Sequence, residues 1–141
     1  MADNKVEVHI VTPDKEFYAA QVDYLAFKTT EGDMGVLYDH IPVIATLTSG
    51  QAEFKIGKET YQAVLHNGFA EVGETSVNIL TDAAEWVEEI DIDRAQAARQ
   101  RAEKRLEELT HPEEVVIQSE ASLRRAIARI EASHPIRFDE R

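Results

Sequence analysis

The sequence predicts an α+β protein: an antiparallel β-sandwich or barrel followed by a helical hairpin. Three observations carry this. Short apolar–polar alternations, broken by turn residues at even spacing, fill residues 1–84. From Asp91 onward there is no glycine, and Arg, Glu and Ala dominate. Between the two lies only the short junction "EWVEEI", with no low-complexity linker and no internal repeat in the chain. The expected organisation is a β-domain at 1–84, a junction at 85–90, a hairpin at 91–134 and a tail at 135–141.

Each element has its own reason. "KVEVHIV" alternates and places Val6, Val8 and Ile10 on one face. The runs "VDYLAFKT", "VIATLT", "AEFKI", "ETYQAVL", "FAEV" and "SVNIL" follow as strands. Pro13-Asp14, Gly50, Gly57-Lys58, Asn67-Gly68 and Gly73 separate them, and Gly57-Lys58 marks a tight hairpin. "DIDRAQAARQRAEKRLEEL" is a strong helix former with Asp91 or Asp93 as its N-cap. "THP" interrupts it, and Pro112 suits the first turn of a second helix capped by Thr110 or His111. On that second helix Val116, Leu123, Ile127 and Ile130 form a bulky apolar stripe. Ala121, Arg125, Ala128, Arg129 and Ala132 form a different surface. Two packing surfaces fit either a helix that changes partners or one wedged between its mate and the sheet.

Totals narrow the function. The chain has 141 residues, enough for one domain and an appendage. Its net charge of −12 disfavours a nucleic acid partner, which needs a concentrated basic surface. The absence of cysteine removes disulfides, thiolate catalysis and Cys-based zinc sites. "MADNKVEVHIV" has neither a long apolar run nor a cleavage signal, so a reducing compartment is expected, with attachment to a membrane complex through a partner left open. Charge is uneven. Residues 1–84 hold 5 Lys/Arg against 13 Asp/Glu, whereas Arg94 to Arg129 holds 8 against 6. That locally basic stretch suits an acidic partner or an anionic ligand, or is a solvated face of paired charges.

Catalytic motifs are missing. "GDMGVLYDHIP", residues 32–42, has no lysine and no following helix, so it is not a phosphate loop. His9, His40, His66, His111 and His134 are scattered, without the one-turn spacing of a zinc hydrolase. There is no Gly-x-Ser-x-Gly elbow. His40 before Ile41-Pro42 reads as a structural residue at a bend rather than a base. No catalytic residue and no metal site is expected.

"VEVHIVTPDKEFY", "GDMGVLYDHIPVIATL", "HNGFAEV" and "SVNILTDAAEW", in that order, resemble the epsilon subunit of bacterial F-type ATP synthase. The resemblance spans essentially the whole chain. Its most specific part is Gly-x-x-Gly-x-x-x-x-His-Ile-Pro together with Asn-Gly-Phe-x-Glu-Val. The family usually has Pro-Gly where this chain has Tyr38-Asp39. The resemblance implies a ten-stranded β-sandwich followed by two helices. It implies a non-catalytic subunit of the central rotor stalk, peripheral on the cytoplasmic face of the bacterial cell membrane. The β-domain would dock the gamma subunit and the c-ring, with Gly32, Gly35, His40 and Pro42 at the rotor. The helices would restrain ATP hydrolysis by meeting an acidic segment of the catalytic beta subunit through Arg99, Arg101, Arg105, Arg124 and Arg125.

Some epsilon subunits bind ATP through Ile/Leu-Asp-x-x-Arg-Ala, which reads here as Ile90-Asp91-Ile92-Asp93-Arg94-Ala95. In that subset a glutamate six residues before the Asp and two arginines one turn apart also contribute. They correspond here to Glu85, Arg125 and Arg129. Carboxylates suit the adenine amino group or ribose hydroxyls, and guanidiniums suit phosphate oxygens. Residues 94 and 129 lie about 17 positions before and after the expected chain reversal, so they come level across an antiparallel hairpin. ATP is therefore expected as a regulatory ligand that stabilises the folded hairpin, with no catalytic cofactor. The competing expectations are a free-standing ATP sensor outside any rotary ATPase, and Asp91 as nothing more than a helix cap.

Overall fold

The computed structural model describes residues 4–107 and 113–133. Ten strands come first: β1 (Val6–Val11), β2 (Glu16–Val22), β3 (Tyr24–Thr29), β4 (Gly32–Val36), β5 (Val43–Leu47), β6 (Gly50–Ile56), β7 (Glu59–Leu65), β8 (Gly68–Val72), β9 (Ser76–Thr81) and β10 (Ala84–Trp86). A 3-10 turn at Val87–Glu89 leads into helices α1 (Ile92–Glu107) and α2 (Glu113–Ala132). The strands form one hydrogen-bonded sheet in the order β10-β7-β6-β3-β5-β8-β9-β1-β2, with β4 on β3. β1 and β9 pair in parallel, and the other pairs are antiparallel.

Strand β3 folds the sheet over. One of its edges carries β4. The other pairs with β6 at Tyr24, Leu25 and Ala26, then switches to β5 at Thr29. Aromatic rings then bring the two ends of the strand order together. Phe17 of β2 stacks on Trp86 of β10 with centroids 4.6 Å apart, and Tyr18 meets Phe54 at 5.0 Å. The result is a flattened, nearly closed barrel. Val6, Val8 and Ile10 point inward as their alternation requires, and meet a core containing Leu25, Phe27, Phe54 and Ile79. Truncating either phenylalanine to alanine would cost about 3–5 kcal/mol.

Two turn glycines have different causes. Gly57 has φ +59° in the two-residue hairpin between Ile56 and Glu59, and donates its N–H to Asp23 Oδ2 at 2.6 Å. A Cβ on Gly68 would lie 1.9 Å from the Leu80 carbonyl oxygen, so close strand approach is the reason there.

Three strands were not separately legible. β2 has no clean alternation, only three of its positions being at the surface in an irregular order. β4 occupies the first half of "GDMGVLYDHIP", residues 32–42. β10 extends the sheet to Trp86, past the boundary expected at residue 84. Asp91, rather than Asp93, caps α1: the Arg94 N–H donates to Asp91 Oδ1 at 3.1 Å. The expected cap of α2 at Thr110, His111 and Pro112, and the tail at 135–141, lie outside the described residues.

The helices run antiparallel: Arg129, late in α2, lines the same cleft as Arg94, early in α1. α2 lies against the outer face of the sheet, where Val64 of β7 packs on Ala128 and Ala132, flanked by Val87 and Ile90. The small stripe therefore faces the sheet. The bulky one stays partly exposed at Val116, Leu123, Ile127 and Ile130.

Candidate functional site

A cleft of about 340 Å³ opens where β10, the start of α1 and the end of α2 meet. Five of the seven expected ligand residues line it: Glu85, Asp91, Arg94, Ala95 and Arg129. Glu89, Ala98 and Arg101 complete its wall. That volume lies within the usual range for small-molecule sites. Ile90 does not line it; its side chain packs beside Val64, Ala128 and Ala132. Arg125 does not line it either, and donates from Nη2 to Ser122 Oγ at 3.2 Å.

The local fold explains the placement. Capping brings the Asp91 carboxylate to the mouth of α1, and a second carboxylate oxygen remains for other contacts. Arg94 stands exposed in the first turn of α1. Buried Ala95 lets α2 approach closely enough for Arg129 to reach across. Arg129 Nε donates to Glu85 Oε1 at 2.5 Å, tying α2 to β10. The same oxygen accepts from His66 Nε2 at 3.3 Å, and His66 Nδ1 lies 3.0 Å from Ser49 Oγ. These contacts hold the Glu85 carboxyl at about 2. The His66 hydrogen bond is the largest cause, Arg129 adds to it, and burial opposes both. The cleft thus offers ionised carboxylates on its β10 and α1 walls and guanidiniums from both helices. That arrangement can hold a ligand carrying both polar donors and anionic oxygens.

The expected rotor loop is a separate surface. Leu37, Tyr38, Ile41, Val43 and Ile44 are all exposed there, with Ile41 at 79% and Ile44 at 73%. Such a run of apolar side chains signals a protein contact. Gly32 has φ +120°, and a Cβ on Gly35 would lie 2.8 Å from the Tyr24 hydroxyl. His40 Nδ1 is 2.6 Å from the Ile41 carbonyl oxygen, a bond within the bend, and Pro42 is exposed beside it. Asp39, where the family usually has glycine, takes φ +66° and donates its N–H to the Glu74 carbonyl at 2.7 Å. It thus adopts the glycine conformation with an aspartate.

A second apolar row escaped the sequence. Val11 of β1 pairs with Leu80 of β9, which pairs with Phe69 of β8, and all three side chains are exposed. Strand alternation alone could have indicated it, since Phe69 and Leu80 flank inward-facing Ala70 and Ile79. His66, Ser49 and Glu89 also went unrecognised. Glu89 lines the cleft from the 3-10 turn, and His66 and Ser49 stand behind it, joined to Glu85 by strand pairing rather than by motif spacing. The five expected inhibitory arginines occupy different settings. Arg99 Nε pairs with Glu103 Oε1 at 2.8 Å, Arg101 lines the cleft, and Arg105 and Arg124 are exposed. Arg125 bonds Ser122. Among the described residues no group of three or more side chains is placed to hold a metal ion. Nor is any described helix long and apolar enough to cross a membrane.

A nearly closed β-barrel with a helical hairpin folded onto its outer face defines a two-part class. Its exposed apolar surfaces lie on the sheet and its polar cleft lies under the helices. The comparisons divide the chain in the same way. Residues 5–87 match the family described as ATP synthase, Delta/Epsilon chain, beta-sandwich domain. Residues 88–134 match ATP synthase, Delta/Epsilon chain, long alpha-helix domain. The ATP synthase epsilon chain of Halalkalibacterium halodurans is 40% identical over 128 residues, covering 91% of this chain and 96% of that one. That of Ruminiclostridium cellulolyticum is 39% identical over 127 residues, covering 90% and 94%. A chain of the Euglena gracilis mitochondrial ATP synthase OSCP/F1/c-ring structure superposes with a TM-score of 0.82 at 28% identity, covering 96% of this chain and 84% of that one. One from the Tetrahymena thermophila mitochondrial ATP synthase central stalk/c-ring shares the fold, with a TM-score of 0.63 at 16% identity, covering 94% and 99%. The chain belongs to the delta/epsilon family of ATP synthase chains and is an epsilon-type subunit.

Proposed function

We propose that this chain is a non-catalytic regulatory subunit of the central stalk, and that ATP holds its hairpin closed. The observation that carries this is the cleft in which Glu85, Asp91, Arg94 and Arg129 converge from three elements. One nucleotide there bridges β10, α1 and α2. Its adenine amino group or ribose hydroxyls donate to the carboxylates, and its phosphates take the guanidiniums. It favours the closed state only by its differential affinity for that state. When the hairpin opens, the bulky face at Leu123, Ile127 and Ile130, only partly exposed in the closed state, is freed, and the arginines of both helices extend to the acidic segment of a catalytic beta subunit. Hydrolysis is then restrained.

The β-domain attaches the chain to the rotor at the cytoplasmic face of the membrane. The loop containing His40, Ile41 and Pro42 meets the c-ring, and the row Val11, Leu80 and Phe69 receives the gamma subunit. Calorimetric titration of the full chain with ATP tests the nucleotide reading. Saturable binding is expected. Arg94→Ala and Arg129→Ala should each weaken it, through loss of a charge-assisted hydrogen bond of roughly 1.5–3 kcal/mol. Absence of heat at millimolar ATP, or wild-type affinity in both variants, would reject it.

A further inference from the structure

Glu85 is held from two sides, and only one of its partners belongs to the hairpin. Arg129 reaches it from α2, and His66 reaches it from the turn between β7 and β8. We propose that His66 is a positioning residue of the nucleotide cleft, which keeps Glu85 ionised and aimed into the cleft once the ligand's phosphates have drawn Arg129 away. The proposal rests on the nucleotide reading above.

The chemistry follows from the shared oxygen. Glu85 Oε1 accepts from both Arg129 Nε and His66 Nε2. Phosphate oxygens compete for the guanidinium. A half-buried carboxylate that lost this paired cation would swing toward solvent or take up a proton. His66 prevents both, because it cannot move with the ligand. Its side chain is 1% exposed. Its backbone N–H lies 3.1 Å from both Thr81 Oγ1 and the Ala83 carbonyl oxygen. Its carbonyl accepts from Thr81 Oγ1 at 2.9 Å. The ring is oriented as well. An ionised carboxylate only accepts, so Nε2 carries a proton and donates it, while Nδ1 is hydrogen-bonded to the Ser49 hydroxyl at 3.0 Å. A hydroxyl, an imidazole and a carboxylate in a row also describe a hydrolase relay. Here the carboxylate, not the hydroxyl, lines the cleft, so the row is oriented to hold Glu85 rather than to activate Ser49.

The test is calorimetric titration of the full chain with ATP and, separately, with inorganic tripolyphosphate, which lacks the base and ribose that Glu85 would read. His66→Ala is expected to weaken ATP binding about tenfold while leaving tripolyphosphate within about twofold. His66→Gln, whose amide still donates, is expected to restore most of the ATP affinity. Ser49→Ala, which frees the ring to rotate, is expected to cost about threefold for ATP alone. Equal losses for both ligands would make His66 merely structural and overturn the proposal. Wild-type ATP affinity in His66→Ala would overturn it and leave the nucleotide reading standing. Should His66→Ala not fold, wild-type ATP affinity in Ser49→Ala overturns it. A wild-type chain that binds no ATP removes both.

Discussion

Glu85 makes closure of the hairpin sensitive to acid. Its folded carboxyl sits at about 2, against an ordinary value of 4.5. A depressed carboxyl contributes stability that is present above the unfolded value and is lost as pH falls toward the folded one. The window is therefore roughly pH 5 down to 2. Because the group is partly exposed, solvent screening brings the contribution to about 1–2 kcal/mol. Glu85→Gln should be less stable than wild type at pH 7, and that gap should narrow steadily as pH falls from 5 toward 2 in urea titrations. Asp39 offers a second test, since its φ of +66° carries a steric cost that glycine would not bear. Asp39→Ala should lower stability by about 1 kcal/mol while Asp39→Gly holds or raises it, as thermal or urea unfolding can measure. At this scale Glu85, Asp91, Arg94 and Arg129 were marked through the family resemblance, and helical rise then brought residues 94 and 129 level. His66 was invisible in the sequence. The β7–β10 register pairs Leu65 with Ala84, and a 19-residue separation offers no periodic signal for that pairing.

Among elements, β10 is the most informative. It contributes three residues, yet its Trp86 stacks on Phe17 and lies 5.3 Å from Tyr18, closing the barrel. A chain of residues 1–87 should therefore keep the stability of the β-domain. A chain ending at 84 should lose about 2–4 kcal/mol in urea unfolding, because the closing ring and its β7 pairing are gone. Equal stability of the two would show that β10 is dispensable. The short strand was missed because "AEWVEE" is neither long nor alternating, and its partners lie far upstream. The two faces of α2 were legible as faces, but not which one the sheet would take. Residue spacing gives direction around a helix. The choice depends on how closely backbones approach, and Val64 accommodates Ala128 and Ala132 where bulkier side chains would not fit.

For the whole molecule, charge and apolar surface are divided between the two parts. The acidic β-domain carries the exposed apolar surfaces, and the hairpin carries seven of the arginines. Overall architecture was readable because composition changes abruptly near residue 85 and the strand runs are short and evenly punctuated. The folding of one sheet onto itself through β3 was not readable, since it depends on a single strand changing partners along its length. If the helices regulate while the β-domain docks, removing the helices should free hydrolysis without costing assembly. ATP hydrolysis is therefore measured on the synthase assembled with the full chain and, in parallel, with residues 1–87 alone. Equal incorporation of the two chains with faster hydrolysis for the shortened one is the predicted result. Equal incorporation with unchanged hydrolysis would contradict it.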